Sequence, residues 1–213
     1  MLQITCNKTA RTEKPKYIVV HTTGNYRQGA DARAHYEYWD RQYAGQSADF
    51  VVDDKEALQI NDYTKFYTWH CGDGKGKNGI TNANSIGIEI CVNRGGDFER
   101  AVENAAELVR KLKAETGIEK VVRHYDASGK MCPAEFAGDS WAAWYRFLRL
   151  VDEVRLPVLT SVNDIVWELS ERALSSGEKV IGDPHLWMQK LNEDVNTYWL
   201  ARKIVQYLRE KRV

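Results

Sequence analysis

His21, His124 and Cys132 are the side chains of this sequence whose types and places suit metal chemistry. His21 ends the apolar run Lys16-Tyr17-Ile18-Val19-Val20, His124 follows Val121-Val122-Arg123, and Cys132 lies eight residues further on. Two imidazoles and a thiolate suit zinc, a borderline-soft cation that takes nitrogen and sulfur and leaves a fourth position for water. Taken alone, the same residues fit two satisfied histidines and a buried free thiol equally well. Glu89 is the second point of interest. In Ser85-Ile86-Gly87-Ile88-Glu89-Ile90-Cys91-Val92 the isoleucines share one face of a strand, and Gly87, Glu89 and Cys91 share the other. A carboxylate among small residues in an apolar strand points into something polar or wet.

The elements that must position these groups read as an α/β chain. Lys16–His21 has the β-branched character of a buried strand. A helix is predicted from about Ala30 to Tyr43, with Ala34, Tyr38 and Trp39 on one stripe. Asp49–Asp54 reads as strand and turn, with Ala57–Ile60 as its hairpin partner. Asp97 caps a helix that runs to about Thr116 and stops at Gly117. Val121–His124 is another strand, Asp126–Lys130 a turn, and Ser140 caps a helix through Val154. Strand, helix, hairpin, strand, helix, strand, helix predicts a mixed central β-sheet flanked by helices, with His21 and His124 at strand ends, where open sheets present their sites. The glycine-rich stretch from His70 to Gly79 has no GKS or GKT ending, so it is not a phosphate cradle.

Leu156-Pro157 marks a boundary, with residues 1–155 before it and a small all-helical unit, 156–213, after it. Trp167, Trp187, Tyr198 and Trp199 recur there with apolar neighbours. The chain carries 30 Lys and Arg against 30 Asp and Glu, and each side of the boundary is separately neutral. That argues against a polybasic nucleic-acid module or a module for anionic membranes. At 43% hydrophobic and 28% charged residues, the composition is that of a folded globular chain. Four cysteines without a Cys-X-X-Cys pair fit neither a disulfide scaffold nor a zinc ribbon. No apolar run is long enough for membrane insertion, and Met1–Lys8 lacks a signal-peptide core. Synthesis in the cytoplasm is therefore the expectation.

Four segments bear a family likeness in their order: Tyr17-Ile18-Val19-Val20-His21-Thr22-Thr23-Gly24-Asn25, Trp69-His70-Cys71-Gly72-Asp73-Gly74, Asn84-Ser85-Ile86-Gly87-Ile88-Glu89-Ile90-Cys91 and His124-Tyr125-Asp126-Ala127-Ser128-Gly129-Lys130-Met131-Cys132-Pro133. Over about residues 10–150 the chain resembles the type 2 N-acetylmuramoyl-L-alanine amidases, relatives of the peptidoglycan recognition proteins. The resemblance implies that fold, with peptidoglycan as the partner. It also implies a catalytic zinc on His21, His124 and Cys132, and hydrolysis of the amide between N-acetylmuramic acid and L-alanine. Lys130 stands where the family carries an oxyanion-stabilising lysine. Glu89 matches the acidic residue beside the metal, as general base and proton shuttle or as a group orienting a zinc ligand. Trp69 and His70 fall where the family's rim contacts substrate.

One departure is Ser47-Ala48-Asp49-Phe50. The tyrosine that assists catalysis in the phage lysozyme type would fall at Ala48 and is absent, and Asp49 stands in place of a histidine. His35, His185, Cys71 and Cys91 match no ligand position and read as surface or packing residues. The resemblance favours a phage or prophage endolysin of Gram-positive type that reaches the cell wall through a holin pore. The alternatives are a host autolysin for wall turnover or sporulation, and a non-catalytic peptidoglycan-binding module. Retention of Cys132, Lys130 and Glu89 favours an enzyme. The tail's role stays open between wall binding, self-association and capping the catalytic domain, and the oligomeric state is not legible.

Overall fold

The computed structural model describes residues 2–72 and 78–152. The helical reading of 156–213 lies outside them, as does the middle of the glycine-rich stretch. Among the described residues seven strands and four helices follow in the order β1 (Lys8–Ala10), β2 (Tyr17–Thr22), α1 (Ala32–Arg41), β3 (Phe50–Val52), β4 (Ala57–Gln59), β5 (Phe66–Thr68), β6 (Ser85–Ile90), α2 (Phe98–Thr116), β7 (Val121–Arg123), α3 (His124–Ser128) and α4 (Gly138–Asp152). A 3₁₀ turn spans Ala134–Phe136. Strands β4-β3-β6-β2-β7 form a mixed five-stranded sheet, and β1 pairs with β5 in a small antiparallel ribbon. Strands β3, β6, β2 and β7 run parallel to one another, and β4 is antiparallel to β3. Among the described residues no helix is long and apolar enough to cross a membrane.

The pleat divides labour between the faces. Ile18, Val20, Phe50, Val52, Ile86 and Ile88 pack against α2 and α4 in the main core, where Trp144 stacks on Phe147. Val19, His21, Gly87, Glu89 and Val51, one residue out of phase, face the other way. The parallel register pairs His21 with Glu89 and Val19 with Gly87, so these side chains stand shoulder to shoulder on one face.

Helix α2 has the predicted ends. The Asp97 carboxylate accepts from the Arg100 amide at 3.0 Å, and Gly117 closes the helix in the left-handed region with φ of 72°. In α1 the buried stripe is Ala32, His35 and Trp39, while Ala34 and Tyr38 line the cleft described below. Two expectations change. His124 opens a short helix rather than closing a strand, because the Asp126 carboxylate accepts from the Arg123 amide (2.9 Å) and from its guanidinium (2.9 and 2.6 Å), which draws the chain into a helical turn. Ser140 is no cap for α4: Asp139, Ser140 and Trp141 have φ of 47°, 54° and 70°, so the right-handed helix starts after them.

A buried carboxylate ties the site-bearing strand to its surroundings. Asp49, fully buried, accepts from Asn61 Nδ2 (2.6 Å), Thr68 Oγ1 (3.1 Å) and the Gly87 amide (2.7 Å), joining the entry to β3 with β5 and β6. Burial pushes its pKa up to about 6, opposed by those hydrogen bonds and by Arg11. It is therefore largely ionised at neutral pH, as an acceptor of three donors should be. Asp49→Ala leaves those donors facing a void, at about 1–3 kcal/mol for each that finds no partner. Urea unfolding of the full chain should show a loss of about 3 kcal/mol or more; an unchanged midpoint would refute the tie.

Candidate metal centre and cleft

The carboxyl ends of β2 and β6, together with the turn after β7, meet at one place. His21 is the penultimate residue of β2, Glu89 holds the same position in β6, and His124 follows β7 directly. Cys132 returns to them because the Tyr125 amide donates to the Cys132 carbonyl (3.0 Å), and because Gly129 turns the chain back with φ of 79°. The Ala134 amide then donates to Thr22 Oγ1 at 3.3 Å, pinning the loop against the end of β2.

His21 Nδ1 lies 3.0 Å from His124 Nδ1 and 3.7 Å from Cys132 Sγ, and the three donor atoms lie within 4.8 Å of one another. Among the described residues this is the one cluster of three or more such groups able to hold a metal ion. Donors around a tetrahedral zinc would stand about 3.3 Å (N to N) and about 3.6 Å (N to S) apart, from bond lengths of about 2.0–2.1 and 2.3 Å. The two separations from His21 Nδ1 are close to these spacings, and the donor types suit a cation with those preferences.

Burial sets the protonation of the cluster. It lowers His21 well below the ordinary imidazole value, helped by the neighbouring His70, His124 and Lys130. Burial, with Lys130 beside it, also lowers His124 to about 4. Both rings are neutral and ligand-ready at neutral pH. The Cys132 thiol is pushed up to about 11, mainly by burial and then by Glu89. Glu89 itself is pushed up to about 8 by burial, against the pull of Lys130, and its Oε2 has no hydrogen-bond partner among the described residues. A carboxyl poised near neutrality beside a metal site has the properties of a general acid–base group.

An open cleft of about 990 Å³ lies above the cluster. His21, His124, Cys132, Glu89, Lys130, Trp69 and His70 all line it, so every candidate from the sequence reaches one site. Trp69 and Tyr38 line the cleft and, with Tyr43 edge-on to Trp69 at 5.3 Å, form its aromatic rim. His70 is placed otherwise than at a substrate rim. Its ring is buried beneath His21, with Nδ1 3.0 Å from His21 Nε2 and Nε2 3.1 Å from Ser85 Oγ. Strand β6 turns its small and polar residues toward the site, and that carries His70 inward against Gly87.

Several further residues reach the site. Ser85 lies on the Gly87–Glu89 face by the same alternation that marked Glu89, so that signal was present. Tyr26 donates to Glu135 Oε1 at 2.5 Å beside the cleft, and Arg27 and Arg94 line it; no local pattern marks any of the three. His35 also lines the cleft, its Nδ1 held by the Asp31 carbonyl at 2.8 Å. Ala48, at the position of the missing tyrosine, is fully buried in a core cluster with Trp39 and Val51. Cys71 and Cys91 are buried outside the metal cluster.

Residues 11–135 match the Amidase_2 family, described as N-acetylmuramoyl-L-alanine amidase. The chain belongs to that family. It is 42% identical over 140 residues to the N-acetylmuramoyl-L-alanine amidase CwlH of Bacillus subtilis, covering 63% of this chain and 53% of CwlH. It is 43% identical over 140 residues to XlyA of the same species, covering 63% of this chain and 44% of XlyA. The chain thus spans about half the length of the curated relatives it matches. Among solved structures, the catalytic domain of XlyA superposes with a TM-score of 0.61 at 38% identity, over 70% of this chain and 95% of that one. A mutant endolysin from B. subtilis gives 0.62 at 40% identity, over 70% and 94%. The mixed sheet with flanking helices is the fold of these amidase catalytic domains.

The protonation states carry a prediction. With both imidazoles neutral and the thiol protonated, metal binding must expel the Cys132 proton. Apparent affinity should therefore rise about tenfold per pH unit between about pH 6 and pH 9. Competition against a chelator calibrated at each pH measures this; affinity that does not change with pH would contradict the thiol's part.

Proposed function

We propose that the chain is a zinc-dependent N-acetylmuramoyl-L-alanine amidase that cuts the bond between N-acetylmuramic acid and L-alanine in bacterial peptidoglycan. The observation that carries this reading is the convergence of His21, His124 and Cys132 beneath a cleft that also holds Glu89 and Lys130, in a chain of the amidase family. The donor set, two neutral imidazoles and one thiol, fits zinc better than harder cations.

When bound, zinc supplies Lewis acidity, lowering the pKa of a water toward ~7 and polarising the scissile carbonyl. The remaining work falls to the side chains. Glu89, poised near neutrality in its buried place, takes a proton from the attacking water and returns it to the departing L-alanine nitrogen. Lys130 sets an ammonium beside the carbonyl oxygen as negative charge develops there, an effect worth about 2.7–4 kcal/mol for one donor in a studied case. Trp69 and the tyrosines of the rim give the sugar and stem peptide flat surfaces to pack against.

The biological role we infer is that of a phage or prophage endolysin acting on the wall after release. The likeness to the B. subtilis endolysin structure supports this role.

Incubation with purified Gram-positive sacculi should release new L-alanine amino termini and no new reducing sugar ends. Reducing ends in their place would make the protein a glycosidase and overturn the proposal. Glu89→Gln should lower turnover by about 10²–10⁴ while leaving zinc content intact. A variant that keeps most of its rate would remove Glu89 from the proton-transfer step.

A further inference from the structure

We infer that Ser85 and His70 form a positioning relay, anchored on the Thr81 carbonyl, that holds His21 in the tautomer whose Nδ1 is free to bind metal. The inference rests on the zinc reading above and adds to it the means by which the chain selects the ligand nitrogen.

The relay follows from counting protons. Ser85 Oγ lies 2.5 Å from the Thr81 carbonyl, which can only accept, so the single hydroxyl proton points there. Ser85 Oγ also lies 3.1 Å from His70 Nε2. Its own proton being engaged, it accepts, and His70 carries its proton on Nε2. His70 Nδ1 is then bare and 3.0 Å from His21 Nε2, so His21 must donate through Nε2–H. That leaves the lone pair of His21 Nδ1 facing His124 Nδ1 at 3.0 Å and Cys132 Sγ at 3.7 Å. The Cys71 thiol, 3.7 Å from Ser85 Oγ, is too weak a partner to draw the hydroxyl proton away from a carbonyl at 2.5 Å. A histidine ligand whose other ring nitrogen donates to a fixed acceptor is held in both tautomer and orientation.

The backbone is shaped for this ring. A Cβ added to Gly87 would lie 2.5 Å from His70 Cγ, 2.7 Å from Cδ2 and 2.9 Å from Nδ1. Gly87 sits in a regular strand with no left-handed φ, so glycine is needed there for space. The His70 and Cys71 amides both donate to Asn82 Oδ1, at 3.0 and 2.8 Å, which fixes the loop that delivers the ring. Main-chain atoms at Thr81, Gly87, His70 and Cys71 therefore hold a chain of protons that ends on His21 Nε2 and leaves the metal-binding Nδ1 bare.

The test uses the metal-free full chain and long-range proton–nitrogen NMR of its 5 histidines, assigned by single substitution. His21 and His70 should both appear as Nε2–H tautomers, and Ser85→Ala should leave His70 and His21 in mixed tautomers. A His21 protonated on Nδ1 in the wild type would overturn the relay, whether or not zinc binds. Zinc affinity by chelator competition gives the second readout. His70→Phe keeps a flat ring over Gly87 and should weaken zinc about 10–100-fold. His70→Gln, which can still accept from His21 and donate to Ser85, should recover most of that loss. Equal affinity in the wild type and His70→Phe would overturn the relay. A wild type that binds no zinc would overturn the zinc reading instead, and the tautomers would still decide the relay.

Discussion

Parallel pairing of β2 with β6 is the constraint on which the site depends. It places His21 beside Glu89 at the carboxyl ends of adjacent strands, with Val19 and Gly87 one pleat below. The opposite faces of both strands bury Ile18, Val20, Ile86 and Ile88 against α2 and α4. A slip of one residue would turn those apolar side chains outward and carry His21 and Glu89 into the core. The hydrophobic face thus enforces the register, and the register builds the site. His124 and Cys132 are then added by β7, which pairs with the other edge of β2, and by the short turn that closes through Tyr125 and Cys132.

Burial gives this arrangement its chemistry. Two imidazoles and a thiol removed from water are held neutral, and an isolated carboxyl is pushed toward neutrality. Clustered groups that resist carrying charge are poorly satisfied by one another, and a cation exchanges that cost for coordination bonds. The polar groups around the cluster are organised in turn. Asp49 holds the Gly87 amide, Gly87 makes room for the His70 ring, and His70 backs His21.

Much of this was legible in the sequence because the responsible patterns are local. The alternation of Ser85–Cys91 placed Glu89 opposite a face of isoleucines, and Asp97 and Gly117 marked both ends of α2. His21 and His124 stand out by type and by following apolar strands, and Cys132 by its type eight residues after His124. What stayed hidden depends on contacts between distant segments. Strands β1 and β5 have three residues each and no alternation to announce them. The packing of His70 on Gly87 joins a loop to strand β6 through a missing Cβ. The Tyr26–Glu135 pair is separated by 109 residues. The helical start at His124 turned on the Asp126 carboxylate reaching back to Arg123, where the apolar run alone suggested a continuing strand.

The central claim is that His21, His124 and Cys132 together hold one zinc ion. X-ray absorption spectroscopy of the zinc-loaded full chain tests it most directly. One sulfur at about 2.3 Å and two imidazole nitrogens at about 2.0 Å, with a light atom in the remaining position, is the expected shell. A shell of nitrogen and oxygen only, with no sulfur, would contradict it.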